Sequence, residues 1–317
     1  MVSQPIKKYA QTRIDDASHF DLLDDLMQTL RFRGSVFFQS SLASPWGIAL
    51  PAMTMPRFHV ALEGEFVVGS GDSQLQVPKM HIAMLPLGHS HWIADKPGRM
   101  LVDADKAAAA CQLQPLFQEG PISHRILCGM VEYEHALSHP MITALPQLLL
   151  LGEFAADTNL WLTVELIAKE IQQSHSLQSP VIDRLTEVLF ILLMKAYLAR
   201  QPDMGGFFGA LKDPRLMRVL TAIHRMPAHT WTLAWLAEEG NMSVATLVRR
   251  FNAELGMSPV QYLAEWRLTK AYQLVKHSSQ NLEQIADAVG FSGAKSLGRA
   301  FLRRFGLPPG KLRQQAQ

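Results

Sequence analysis

The 317-residue sequence predicts an α+β fold in two halves, strand-rich first and all-helical second. Three observations carry this. Short runs rich in Val, Phe and Ile, broken by turn residues, follow one another from Gly34 to about Glu134. From Gly205 onward the pattern is helical. Within that last part the sequence repeats itself at an offset of 49 to 50 residues.

Composition sets the outer bounds. Apolar residues at 48% and charged residues at 18% suit a globular protein. The start, MVSQPIKKYA, has no apolar segment of signal-peptide type. The longest apolar run, VLFILLMKAYL, is interrupted by Lys195 and is too short to span a bilayer, so no membrane partner is expected. Two cysteines, Cys111 and Cys128, cannot make a disulfide framework, which makes the cytoplasm the expected location. The net charge of +2 hides a split. From Gly205 to the end there are fifteen Lys and Arg against seven Asp and Glu; residues 1–204 carry fifteen against twenty-one. A basic second half points to a polyanion, either nucleic acid or a membrane surface.

Taken in order, an amphipathic helix opens the chain, with Ser18 as cap and Leu22, Leu23, Leu26 and Leu30 as its stripe. The runs GSVFFQSSL, WGIALP, RFHVALEGEFVVGSG, HIAMLPLG, HWIAD and HRILCGMVEY read as strands, with EGEF and GSGDS as turns. Close-spaced short strands mean a sandwich or a small barrel. Helical texture returns near Leu145, and NLWLTVELIAKEIQQS and SPVIDRLTEVLFILLMKAYLAR are two helices, the second capped by Ser179 with Pro180 in its first turn. The second helix is apolar over much of its circumference. Val188, Leu189, Leu192 and Leu193 must therefore be buried, against the strands or against a second subunit. QPDMGGFFGALKDP reads as a linker, with Phe207 and Phe208 as an exposed docking pair. The expected divisions are 1–144 for the strand domain, 145–204 for a helical dimerisation segment and 205–317 for the helical domain.

The internal repeat aligns LAWLAEEGNMSVATLVRRFNAELGMSP with LEQIADAVGFSGAKSLGRAFLRRFGLPP. Each copy has the grammar of a helix-turn-helix: a short helix with a small Ala facing its neighbour, a tight turn and a longer helix. The turn needs a residue tolerant of positive φ, supplied by Asn241 in the first copy and Gly290 in the second. Ser258 and Pro259 start a long helix between the copies.

Once the apolar positions go to the core, Ala245, Thr246 and Arg249 remain on the free face of one long helix, and Lys295, Ser296, Arg299 and Arg303 on that of the other. Arg can make a bidentate contact with guanine in the major groove. Arg250, Arg303 and Arg304 are candidates for phosphates, which set register without reading sequence. The expected anion is double-stranded DNA, read about one duplex turn apart, roughly 34 Å.

WTLAWLAEEGNMSVATLVRRFNAELGMSPVQYLAEWRL and IADAVGFSGAKSLGRAFLRRFGLPPGKLR resemble the DNA-binding domain of the AraC/XylS transcription regulators. FHVALEGEF, the PLGHSH segment, LCG and GALKDPRLMRVLTAIH resemble the branch of that family with an N-terminal cupin-like sensor. The resemblance implies a cupin-like β-barrel, base reading by Arg249, with Ala245 and Thr246 on flanking groove positions, and by Lys295, Ser296 and Arg299. It also implies an activator working with RNA polymerase, and a homodimer. Gly293 stands where members often carry Ser, Gly298 lies on the exposed side of its helix, and Leu312 replaces a common aromatic.

Cupin enzymes hold a metal through two His, a Glu and a further His. Here Arg57 stands in the first place, followed by His59 and Glu63, with His91 downstream. His59, Glu63 and His91 are therefore the candidate metal ligands, and imidazole with carboxylate suits a first-row divalent ion. The fixed cation of Arg57 opposes a metal, so no resident cofactor is expected. The other reading of His59 is a hydrogen-bonded core residue. Cys128, with Cys111 as partner, is a candidate redox sensor, or else a small buried hydrophobe. The effector is thus a small molecule or an oxidant. The competing class is a cupin-type metal-dependent enzyme with an appended nucleic-acid module.

Overall fold

The computed structural model describes residues 22–107, 117, 120–134, 139–152, 158–174, 176–200 and 205–315; Ser18, Cys111 and Pro202 lie outside them. Helix α1 (Leu22–Leu30) buries Leu22, Leu23, Leu26 and Leu30 as its spacing predicts. The strands follow as β1 (Arg33–Leu42), β2 (Gly47–Leu50), β3 (Arg57–Glu63), β4 (Phe66–Ser70), β5 (Ser73–Val77), β6 (Ile82–Leu85), β7 (His91–Ala94), β8 (Val102–Asp103) and β9 (His124–Glu132). A short helix α2 (Pro140–Thr143) precedes β10 (Leu149–Leu151).

Among the described residues the strands form two five-stranded sheets, ordered β1-β9-β3-β6-β10 and β5-β4-β7-β2-β8, rather than one closed cylinder. Phe38, Leu42 and Ile126 of one sheet meet Ile48, Phe66, Val68 and Ile93 of the other in a shared core. The EGEF turn carries the chain from one sheet to the other, and the GSGDS turn closes the β4–β5 hairpin. Leu149–Leu151 is a strand paired with β6, so the helical texture expected from Leu145 begins only at α3 (Asn159–Ser174). A run of Leu carries no period by which to tell strand from helix.

Helix α4 (Pro180–Arg200) packs on α3, β1, β9 and β10. Ile182, Leu189, Phe190, Leu193 and Met194 face inward, which accounts for half of the apolar set that needed burial. Val188 instead keeps 45% of its surface exposed. The expected linker contains a helix, α5 (Gly206–Lys212), and its phenylalanines are core residues rather than an exposed pair. Phe207 meets the His139 ring at 5.0 Å and Phe208 the Tyr197 ring at 5.7 Å, both edge-on. The flanking Gly and Pro mark where this helix starts and stops.

The remaining helices are α6 (Pro214–Arg225), α7 (Leu233–Glu239), α8 (Val244–Leu255), α9 (Pro259–His277), α10 (Leu282–Val289), α11 (Ala294–Phe305) and α12 (Pro309–Gln315). The chain divides into two compact units: one is Leu30–Asp213 with Val248–Ser258, the other the segments up to Thr29, Pro214–Leu247 and from Pro259 on. In the second unit, Asp25 of α1 accepts hydrogen bonds from His224 Nδ1 and Lys270 Nζ, both at 2.9 Å. Arg267 of α9 donates to the carbonyls of Pro227 and His229, each at 2.7 Å. Tyr272 of α9 stacks on Phe301 of α11.

Candidate nucleic-acid interface

The repeat seen in sequence is a repeat in backbone geometry. The Met242 N–H donates to Ala237 O at 2.8 Å, and the Phe291 N–H donates to Ala286 O at 2.8 Å. Between them Asn241 takes φ 51° and Gly290 takes φ 82°. Both residues expected to sit left-handed therefore do so, the one by the tolerance of Asn for that region and the other by lacking a Cβ. The small Ala in each copy is buried.

Helix α8 starts on Ser243, whose hydroxyl accepts from the Thr246 N–H at 3.2 Å and donates to Thr246 Oγ1 at 2.9 Å. Leu247, Phe251 and Leu255 are buried, leaving Ala245 and Arg249 exposed and Thr246 half-buried. In α11, Leu297 and Phe301 are buried while Lys295, Arg299 and Arg303 are exposed. Among the described residues, none of Arg249, Lys295, Arg299 and Arg303 is held in an ion pair. Ser296 is turned inward: its hydroxyl donates to Gly293 O at 2.9 Å and accepts from Ser292 at 3.1 Å. That leaves it one lone pair for an outside donor.

The three arginines expected at phosphates differ. Arg303 is free to meet solvent. Arg250 is bound to the Asp213 carboxylate at 2.7 Å, and Arg304 to Glu265 at 2.5 Å. Neither partner was visible in the sequence, because both lie more than thirty residues away.

The candidate sensor residues are also partly gathered. In register, His59 stands opposite Ala83 on one side and Cys128 on the other. His59 Nδ1 lies 2.9 Å from Cys128 Sγ, and His59 Nε2 lies 2.8 Å from His91 Nε2. His91 Nδ1 lies 2.8 Å from His89 O, which only accepts, so that nitrogen carries the proton. The chain of donors is then settled: His59 Nε2–H donates to His91, and the Cys128 thiol donates to His59. Burial, with the Arg57 charge, keeps His59 neutral, and burial holds His91 down at about 4. Burial also drives the Cys128 thiol far up, partly offset by Arg57.

Glu63 does not join them. The register shifts between Ala61 and Glu63, and the Glu63 carboxylate faces Arg125 at 3.5 Å. Arg57 donates instead to Pro51 O. The residues present do not fit a cupin metal: one ligand place holds a cation, a second faces away, and the two imidazoles spend their facing nitrogens on each other. Among the described residues no group of three or more His, Cys, Asp or Glu is arranged to hold a metal ion. Among them, too, no helix is long and apolar enough to cross a membrane.

Residues 21–199 match the family described as cupin, and residues 236–315 match a helix-turn-helix domain. The HTH-type transcriptional regulator AlkR of Acinetobacter baylyi is 28% identical over 313 residues, covering 93% of this chain and 100% of its own. The RCS-specific HTH-type transcriptional activator RclR of Escherichia coli is 25% identical, covering 94% of this chain and 98% of its own. An AraC-type DNA-binding domain-containing regulator of Chromobacterium violaceum, known in crystal structure, is 27% identical over 34% of this chain and 96% of its own, with a TM-score of 0.32.

Proposed function

From a chain that belongs to the AraC-type transcription regulators with an N-terminal cupin domain, we propose a sequence-specific reader of double-stranded DNA in which α8 and α11 each enter a major groove. The observation that carries this is the twice-made turn, each copy followed by a helix with unpaired cations on its open side. In this reading Arg249 contacts a base, with Ala245 and Thr246 beside it, and Lys295, Ser296 and Arg299 read a second block. Arg303 meets phosphate at once; Arg250 and Arg304 do so only in part, because the Asp213 and Glu265 carboxylates compete with phosphate for them.

The strand domain is read as a sensor of a small molecule or an oxidant rather than as an enzyme. Relatives of nearly the same length bear the names of regulators, and the cupin ligand positions do not converge here. Cys128 is the candidate for an oxidant, reached when the sandwich opens. Activation through RNA polymerase, in the cytoplasm, is the mode we assign. The active form is a homodimer joined through the outer face of α4. There Val181, Leu185, Val188 and Leu192 recur at spacings of four and three and stay wholly or partly exposed.

Selection from random duplexes with the full-length protein tests the reading. Two blocks of preferred bases are expected. Arg249→Ala should erase preference at one base pair, at a cost of about 1–3 kcal/mol. A motif identical to the wild type's would remove Arg249 from the interface.

A further inference from the structure

Helix α11 begins without a cap of its own. Its N-cap residue, Gly293, has no side chain and sits at φ 145° and ψ 173°, a region open essentially to glycine alone. The first N–H of the helix is nevertheless satisfied: Ala294 donates to Glu283 Oε2 at 3.0 Å. Glu283 belongs to α10, and α10 does not need it as a cap. There Asn281 and Gln284 close a reciprocal capping box, each side chain accepting from the other's backbone N–H at 2.9 Å. The Glu283 carboxylate thus lies in the first turn of one helix and on the first N–H of the next, where two positive helix ends favour it.

The duplication supplies an internal comparison. Gly293 matches Ser243 of the first copy, and Glu283 matches Ala234. The first copy caps its long helix with its own serine and carries alanine at the place of the carboxylate. The second has lost the serine and holds the carboxylate. The glycine also makes the room, since a Cβ at position 293 would sit 3.3 Å from Glu283 Oε2.

We propose that Glu283 is the positioning residue of α11, supplying across the turn the cap that Gly293 lacks and so fixing where Lys295, Ser296 and Arg299 present themselves. This rests on the reading of α11 as a DNA-reading helix. The sign of its effect sets it apart from a plain surface charge. An exposed carboxylate near DNA repels phosphate, so its removal would raise affinity for every sequence. A cap predicts the reverse.

The test uses the full chain, with two readouts: amide exchange at Ala294, and selection from random duplexes. Glu283→Ala should speed exchange at Ala294 and weaken binding about three- to tenfold, the worth of one helix cap. Preference should flatten at the base pairs read by Lys295 and Arg299 and persist at that of Arg249. Glu283→Gln, a neutral acceptor, should fall between. Adding Gly293→Ser to Glu283→Ala should restore binding and motif but leave exchange at Ala294 fast, because a serine in the geometry of Ser243 accepts from the third N–H of its helix, here that of Ser296, and not from the first. Unchanged exchange at Ala294, or tighter binding with an unchanged motif, overturns the proposal. If Lys295→Ala and Arg299→Ala leave the motif as it was, the DNA-reading role of α11 fails and the positioning role with it, while the exchange data still show the cap.

Discussion

His224 donates from Nδ1 to the Asp25 carboxylate at 2.9 Å as a neutral imidazole, not as the cationic half of an ion pair. Burial pulls His224 down to about 4 against the pull of Asp25, and its Nε2 accepts from the Tyr262 hydroxyl, kept protonated by burial. Asp25 is held below the usual carboxylate value: burial opposes this, and bonds from His224 and Lys270 outweigh it.

Stability should therefore fall on acidification. An unfolded histidine takes up its proton near pH 6.5, while folded His224 and His91 do so at about 4 and His59 well below its ordinary value. Their contribution is complete above about pH 6.5 and drains away as the pH falls toward 4, at about 1.4 kcal/mol per pH unit for each histidine. Asp25 adds its loss only below its unfolded value of 3.8. Urea unfolding between pH 8 and pH 4.5 measures this; a flat profile would mean the three rings are solvated.

Freeing the two paired arginines should steepen the salt dependence of DNA binding. Asp213→Asn releases Arg250, and Glu265→Gln releases Arg304. Each should raise the magnitude of the slope of log K against log salt by up to about 0.9. Arg303→Ala should lower it by about the same amount and weaken all sequences alike. Titrations from about 50 to 200 mM salt decide it, and equal slopes throughout would take these side chains off the phosphates.

Charge on the outer face of α4 should separate the dimer. Val188→Glu with Leu192→Glu leaves the buried Leu189 and Leu193 untouched, so the fold should hold. Sedimentation should show the parent as a dimer and the variant as a monomer. A monomeric parent at high micromolar concentration would assign the exposed stripe to something else.

Cys128 should resist alkylation until the sandwich opens. Its side chain is buried and its thiol protonated, and only thiolate reacts. In a Cys111→Ser background, iodoacetamide should label Cys128 at least about a hundredfold more slowly in buffer than in denaturing urea. Equal rates would show that the site is open in solution.

Local rules made much of this molecule legible before its structure. Asn241 and Gly290 announced their turns because positive φ is restricted to few residue types. The opening Leu stripe followed from its period, and the Val- and Phe-rich strands from their composition and the turn residues between them. What escaped was non-local or lacked a period. The β5 segment SQLQV is a polar edge strand, and β10 is three leucines. Phe207 and Phe208 sat between glycines and prolines and read as linker. The partners of Arg250, Arg304 and Asp25 come from distant segments, and the Cys128–His59–His91 chain needs the register of β3 against β9 before it can be seen. Glu283 was within reach, since the aligned copies show Ser giving way to Gly as Ala gives way to Glu.

The clamp made by Arg267 means that the two copies are not interchangeable parts. Its guanidinium holds the carbonyls of Pro227 and His229, in the loop that leads into the first copy. The Gly290 turn of the second copy rests on that loop so closely that a Cβ there would meet Ala228 Cα at 2.7 Å. Cutting the chain after α9 would strip the cover from Ala228 and from the Tyr272 ring. A half-size reader is therefore not to be had by truncation. Transplanting the second copy onto another scaffold would require carrying α9 and the 226–229 loop with it, so the smallest portable piece is the pair.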